Sequence, residues 1–107
     1  MWANFDPRLG LSDDRTRVNA RGPLHWDTDP IATRIRIEIT ITDDDGHSAY
    51  GVDLFAKADW PNDWRLVART QYGETMTEGG ASALGIVTRV EPRPGTPWQW
   101  TQRVTLG

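Results

Sequence analysis

Cysteine is absent from this chain of 107 residues, and lysine occurs once, at Lys57. Without cysteine the chain has no disulfide, no thiol nucleophile and no cysteine-ligated zinc site. The other eleven of its 12 basic residues are arginines. This preference for arginine indicates a GC-rich bacterial genome and carries no information about activity.

Long apolar runs and an excess of positive charge are also missing. No apolar run approaches the ~18 residues of a membrane helix, so we expect no membrane contact. The N-terminus, MWANFDPRLG, lacks a charged region followed by an apolar one, and therefore does not resemble a signal peptide. We expect a cytoplasmic protein, with export by another route left open. The net charge of −3 provides no overall basic field for nucleic acid.

The composition of the chain is typical of one folded domain. Hydrophobic residues make up 37% and charged residues 25%, which is enough apolar material for a core. We assign residues 7–107 to this domain. Residues 1–6 form a short N-terminal arm that carries Trp2 and Phe5.

The most regular stretch is 31–42, in which isoleucine recurs at every second position from Ile35 to Ile41. This alternation predicts a strand with one dry and one wet face. The sequence Asp-Asp-Asp-Gly at 43–46 follows and predicts a hairpin turn. For the return strand, 47–57, we expect the inward residues to be Tyr50, Val52 and Leu54.

Five further strands are predicted, and no helix. They lie around residues 9–11, 15–21, 64–69, 82–91 and 98–106. In the strand 82–91 we expect the inward residues to be Leu84, Ile86, Thr88 and Val90. About seven short strands favour an all-β fold, a two-sheet antiparallel β-sandwich of immunoglobulin-like or fibronectin-III-like architecture. A small β-barrel is the second candidate.

The acidic turn raises the question of a calcium site. In an EF-hand loop with Gly46 sixth, Ile41 would stand first and Val52 twelfth, and neither is a ligand. A looser site would use Asp43 and Asp45, with Asp27 or Asp29 from another loop. We favour a solvated hairpin turn.

Other catalytic patterns are incomplete. A catalytic zinc site would need both His25 and His47 plus a carboxylate, and two unrelated loop histidines are the favoured interpretation. The sequence Gly-Ala-Ser-Ala-Leu at 80–84 lacks the last glycine of G-x-S-x-G and the helix that should follow. We expect no enzyme activity, no cofactor and no metal.

Six tryptophans are present. Trp64, Trp98 and Trp100 stand on predicted inward faces and are assigned to the core. Trp60 stands in a loop, where an exposed ring would stack on a sugar, although a loop anchor folded back over the core is the favoured interpretation. Trp60, Trp26 and Asp27 are thus the candidate residues of a carbohydrate- or small-ligand-binding site, the alternative function.

Arginines recur on the predicted outer faces of three strands, as Arg15, Arg17 and Arg21; Arg34 and Arg36; and Arg65 and Arg69. If these strands are neighbours, the face is rich in arginine. Nucleic-acid binding would also need exposed aromatic side chains, and we expect no nucleic-acid partner. The favoured interpretation is cross-strand ion pairing with Glu38, Asp53 and Glu74.

These patterns together predict a non-catalytic structural or protein-interaction module. The arm with Trp2 and Phe5, or an edge strand, offers a contact for a protein partner or a second copy of the chain. The sequence therefore predicts that function lies at the ends and edges of the domain.

Overall fold

The computed structural model describes residues 2–25, 31–56 and 63–107, with the backbone alone for Trp2 and His25. These residues form eight strands: β1 (Trp2–Ala3), β2 (Arg8–Leu11), β3 (Arg17–His25), β4 (Arg34–Asp43), β5 (Ser48–Ala56), β6 (Asp63–Thr70), β7 (Gly79–Glu91) and β8 (Trp98–Leu106). The described segments contain no helix that is long and apolar enough to cross a membrane. The all-β prediction is confirmed.

Seven of the strands close into a barrel. The hydrogen-bonded order is β2–β3–β6–β5–β4–β7–β8, and β8 returns to β2. The β2–β8 pairing is parallel and the other pairings are antiparallel, while β1 adds to β3 outside the ring. The predicted number of strands is confirmed. The two-sheet sandwich is not confirmed, because the β3–β6 and β2–β8 pairings join edges that it would leave open; the second candidate, a small barrel, fits.

The isoleucine strand, β4, lies at the centre of this sheet. It pairs along its length with both β5 and β7, and its four isoleucines from Ile35 to Ile41 are fully buried. Burial of each contributes about 1.5–3 kcal/mol. The hairpin turn is also confirmed, since Gly46 has a φ of 90° and the N–H of Asp43 donates to the carbonyl oxygen of His47 at 2.9 Å.

The predicted inward face of β5 is wrong. Ala49 and Gly51 point into the barrel, whereas Tyr50, Val52 and Leu54 are 45–48% exposed on the outside. Most of the predicted inward face of β7 is wrong in the same way. There the buried residues are Ala81, Ala83, Gly85 and Val87, and of the expected set only Thr88 is buried.

Aromatic rings explain why small residues line these two strands. Phe5, Trp64 and Trp100 pack with ring centroids 5.1–6.2 Å apart, so the predicted core positions of Trp64 and Trp100 are confirmed. The third predicted core tryptophan, Trp98, is half-buried and stacks on Trp100. A Cβ at Gly85 would lie 2.2 Å from the Trp100 ring, and one at Gly51 would lie 2.5 Å from the carbonyl oxygen of Val67. Since the rings and isoleucines fill the interior, β5 and β7 contribute alanine and glycine there.

The N-terminal residues are part of the barrel, which corrects the expectation of an arm that offers Phe5 to a partner. The backbone of Phe5 donates to Gln102 Oε1 at 3.0 Å, and Gln102 Nε2 donates back to its carbonyl oxygen at 2.8 Å. Trp64 Nε1 donates to the carbonyl oxygen of Asn4 at 3.0 Å. Phe5 is buried because its ring completes the aromatic cluster. The backbone of Trp2 lies opposite His25 on β3.

Candidate functional site

A groove of about 810 Å³ lies on the outside of β3 and β6, between β2 and β5. Small and apolar residues of β3 and β6 turn inward and basic residues turn outward, because the two faces of a strand alternate. The groove takes one arginine from β2, one from β3 and two from β6. We call this surface the arginine groove; its arginines are Arg8, Arg21, Arg65 and Arg69.

The register of β3 and β6 sets arginine opposite arginine. Arg21 pairs with Arg65, and Arg17 pairs with Arg69 four residues away. Like charges directly opposite each other on one face of an antiparallel pair are destabilising. Of the three arginine stripes, those on β3 and β6 are therefore neighbours, whereas that of β4 is not, because β4 pairs with β5 and β7.

Ion pairs neutralise only some of these arginines. The pairs formed include Arg21 with Asp6 at 2.9 Å, and Arg36 with Glu38 at 3.0 Å. Within residues 2–25, 31–56 and 63–107, four exposed arginines of the β2–β3–β6 surface make no ion pair: Arg8, Arg17, Arg65 and Arg69. Arg36 does pair with Glu38, but both lie on β4, so this is not the predicted cross-strand pairing, and that pairing is wrong for the groove.

Asp53 is the one acidic residue in the described lining of the groove. Its Oδ1 accepts a hydrogen bond of 2.8 Å from the backbone N–H of Leu54. This local bond holds the carboxylate at β5, where it has no ion pair with the arginines on β6. The predicted pairing through Asp53 is therefore not formed.

An apolar rim borders the arginine groove. Val52 of β5 and Val67 of β6 line the groove, and Tyr50 and Leu54 continue the exposed surface along β5. Paired residues join β5 to β6 only at Ala49–Thr70 and Tyr50–Arg69. This surface therefore combines apolar contact area with unpaired guanidinium groups.

Asp43, the candidate calcium ligand, has a different role. Its Oδ1 accepts from the N–H groups of Asp45 and His47, at 3.0 and 2.8 Å. Its Oδ2 accepts from the N–H and hydroxyl of Thr77 and lies 3.0 Å from His47 Nδ1. Burial raises the pKa of Asp43, but the bonds from Thr77 and His47 outweigh it and lower the pKa to about 2. The carboxylate ties the β4–β5 turn to the segment before β7.

No group of three metal-binding side chains occurs in the part of the chain that the structure describes. Asp27 and Asp29, the other expected calcium ligands, lie outside that part, and the side chain of His25 is not described. The predicted ligand-binding residues Trp60, Trp26 and Asp27 also lie outside it. The carbohydrate alternative therefore stays a prediction.

Sequence reasoning noticed the arginine stripes but did not select them as a site. It also assigned Val52 to the core and did not use Arg8. Alternation along each strand is visible in the sequence. The opposition of Arg21 and Arg65 is not, because it depends on pairing between strands more than 40 residues apart.

No protein-family model matches the chain, and no curated protein matches it. Among solved structures, the chain is similar to the crystal structure of the periplasmic chaperone SfaE, with a TM-score of 0.46 and 11% identity. The match covers 98% of this chain and 55% of that one, so the chain spans about half the length of that structure. The expected cytoplasmic location is withdrawn, since the similar structure is that of a periplasmic protein. A likeness of this extent carries no argument about function.

Proposed function

We propose that the chain is a non-catalytic protein-binding module whose contact surface is the arginine groove and its apolar rim. The observation that carries the proposal is that arginine opposes arginine in two rows, Arg21–Arg65 and Arg17–Arg69, while only Arg21 has an ion pair in the described residues, with Asp6. Such a face loses stability in isolation and gains it when a partner supplies the opposite charge.

The rim supports a protein as the partner. Interface centres are enriched in tyrosine and arginine, and contiguous exposed apolar surface marks contact sites. Tyr50, Val52, Leu54 and Val67 provide such a surface beside the guanidinium groups.

The chemistry of the lining supports a binding role over catalysis. The described lining contains arginines, one asparagine and one aspartate as its polar side chains, without serine, threonine or histidine. A nucleophile activated by an adjacent base has no residues there to form it. The groove can therefore recognise a partner by its charge and its shape.

Self-association through Phe5 is not part of this proposal, because Phe5 is buried in its own barrel. A second copy of the chain remains one of the partners that the surface would accept. In that case the copy would present its own carboxylates to the arginines.

Photo-crosslinking tests the proposal. A photoreactive amino acid replaces Val67 in one variant and Thr101, exposed on the outer face of β8, in a matched control. In the native host we expect discrete protein adducts from position 67 that are absent from position 101. The same adducts from both positions, or none from position 67, would overturn the proposal.

A further inference from the structure

The outer face of the β3–β6 ladder repeats a pattern in three rows. Arg17–Arg69 forms the first row, Asn19–Val67 the second and Arg21–Arg65 the third. The two arginine rows are four residues apart along each strand, which is about 13 Å at the rise of a β-strand. A neutral row therefore separates two positively charged rows at a fixed spacing.

We propose, on the basis of the proposed function, that this face binds an extended acidic segment of a partner protein. The segment carries carboxylates at two positions four residues apart and an apolar residue midway between them. Its carboxylates bind the two arginine rows, and its apolar side chain packs on Val67.

An extended conformation follows from the spacing of the rows. In a strand, residues i, i+2 and i+4 point to one face, and i and i+4 are about 13 Å apart. In a helix, residues i and i+4 rise only about 6 Å, so their carboxylates would reach one row and not both. An extended segment therefore matches both rows and the neutral row between them.

Carboxylates suit the donors of the groove. Each guanidinium presents a planar fork that binds a carboxylate through two parallel hydrogen bonds. Asp6 already takes part of the hydrogen-bonding capacity of Arg21, at 2.9 Å from its Nε. Arg65, Arg17 and Arg69 have no such partner in the described residues.

A protein segment is favoured over nucleic acid by two features. Binding of single-stranded nucleic acid relies on several aromatic side chains that stack on successive bases; the described lining of the groove has none, and its apolar rim has one, Tyr50. The chain as a whole carries a net charge of −3, which opposes a long polyanion beyond the groove. A segment with only two carboxylates is short enough to lie on the two arginine rows.

Two blocked peptides of the same composition test the spacing. The spaced peptide, Ser-Glu-Thr-Val-Thr-Glu-Ser, carries glutamates four residues apart with valine between them. The control, Ser-Thr-Val-Glu-Glu-Thr-Ser, has adjacent glutamates. By titration calorimetry at low salt we expect the spaced peptide to bind about fivefold more tightly, because only it reaches both arginine rows.

Paired variants test the location. The Arg65→Gln/Arg69→Gln variant is expected to bind the spaced peptide about tenfold more weakly, because one contact in each row is lost. Arg93→Gln, in an exposed loop away from the groove, is expected to leave binding unchanged. Denaturation curves of both variants check that each is folded.

The peptide and variant measurements test this inference, and the photo-crosslinking tests the proposed function, so failure of one can be distinguished from failure of the other. Equal binding of the two peptides, equal loss in the two variants, or tighter binding of a single-stranded oligonucleotide would each overturn the acidic-segment inference. If adducts at position 67 persist in that case, the proposed function stands without it. If they are also missing, the proposed function fails as well.

Discussion

Arg65 lies directly opposite Arg21 across the β3–β6 ladder. Both side chains are exposed, and only Arg21 has an ion pair among the described residues, with Asp6. The next pair of like charges, Arg17 and Arg69, repeats the arrangement. A fold that kept charge only for solubility would alternate signs across these positions. Opposition of like charges on one face of an antiparallel pair is destabilising.

Replacing Arg65 by glutamine is expected to stabilise the protein. The change removes a positive charge opposite Arg21 and retains a long polar side chain, so the free energy of unfolding should rise by about 0.2–1 kcal/mol. The midpoint of urea denaturation at low salt measures this. The gain should shrink in high salt, because salt screens exposed charges.

The control for that change is Arg36→Gln, which removes an arginine that lies 3.0 Å from Glu38. This variant should be unchanged or slightly less stable, since exposed ion pairs contribute about 0–1 kcal/mol. A loss of stability in Arg65→Gln would show that Arg65 has an attractive partner and would count against the repulsion argument.

Asp43→Asn is expected to lower the free energy of unfolding by about 2 kcal/mol at neutral pH. The carboxylate has a pKa of about 2 in the folded chain against a usual value of 3.8, and each unit corresponds to about 1.4 kcal/mol. Its contribution is complete above the unfolded pKa and is lost as the pH falls through the folded pKa. The difference between wild type and variant should therefore disappear between about pH 4 and pH 2.

Denaturation at a series of pH values measures this, with Asp45→Asn as the exposed control. Asp14 also titrates in this window, because side-chain hydrogen bonds from Ser12 and Thr16 lower its pKa to about 2. It remains in the variant and leaves a residual slope. A stability difference that persists unchanged to pH 2 would contradict the assignment to Asp43.

Gly22→Ala is expected to displace the N-terminal residues. A Cβ there would lie 1.8 Å from the carbonyl oxygen of Asn4, and the loss of Phe5 from the core should cost about 3–5 kcal/mol. Gly10→Ala is the matched control, because its Cβ would meet atoms no closer than 3.8 Å. Similar thermal midpoints for the two variants would refute the close approach at Gly22.

Gly85→Ala is expected to destabilise the barrel by about 1–3 kcal/mol, because the added methyl overlaps the Trp100 ring. Trp100→Leu should partly relieve this cost, so that the double variant is more stable than the sum of the two changes implies. A double-mutant cycle by urea denaturation measures the coupling. Additive effects would mean that the two residues do not share this space.

The buried face of a β-strand was predictable from the sequence only where one face alone is apolar. Period-two alternation placed the isoleucines of β4 correctly, since that strand pairs on both sides and buries one face. The same rule misplaced Tyr50 and Leu84, because β5 and β7 carry apolar residues on both faces. Choosing between their faces required knowing how closely the Trp100 ring approaches Gly85 and the β6 backbone approaches Gly51.

The candidate site was also predictable from the sequence only in part. Arginine on alternate positions of β3 and β6 is visible in the sequence, as are the single lysine and the absence of cysteine. The opposition of Arg21 and Arg65 is not, because it depends on strand register.

The sequence by itself determined the all-β class, the β4–β5 hairpin, the tryptophan core and the outward direction of the arginines, because these follow from local alternation and turn chemistry. Only the tertiary structure decided that the sheet closes through β3–β6 and β2–β8, that Phe5 lies inside, and that Arg65 opposes Arg21. Each of these depends on contacts between residues far apart in the chain, where packing volume and strand register select among faces that local patterns leave equivalent.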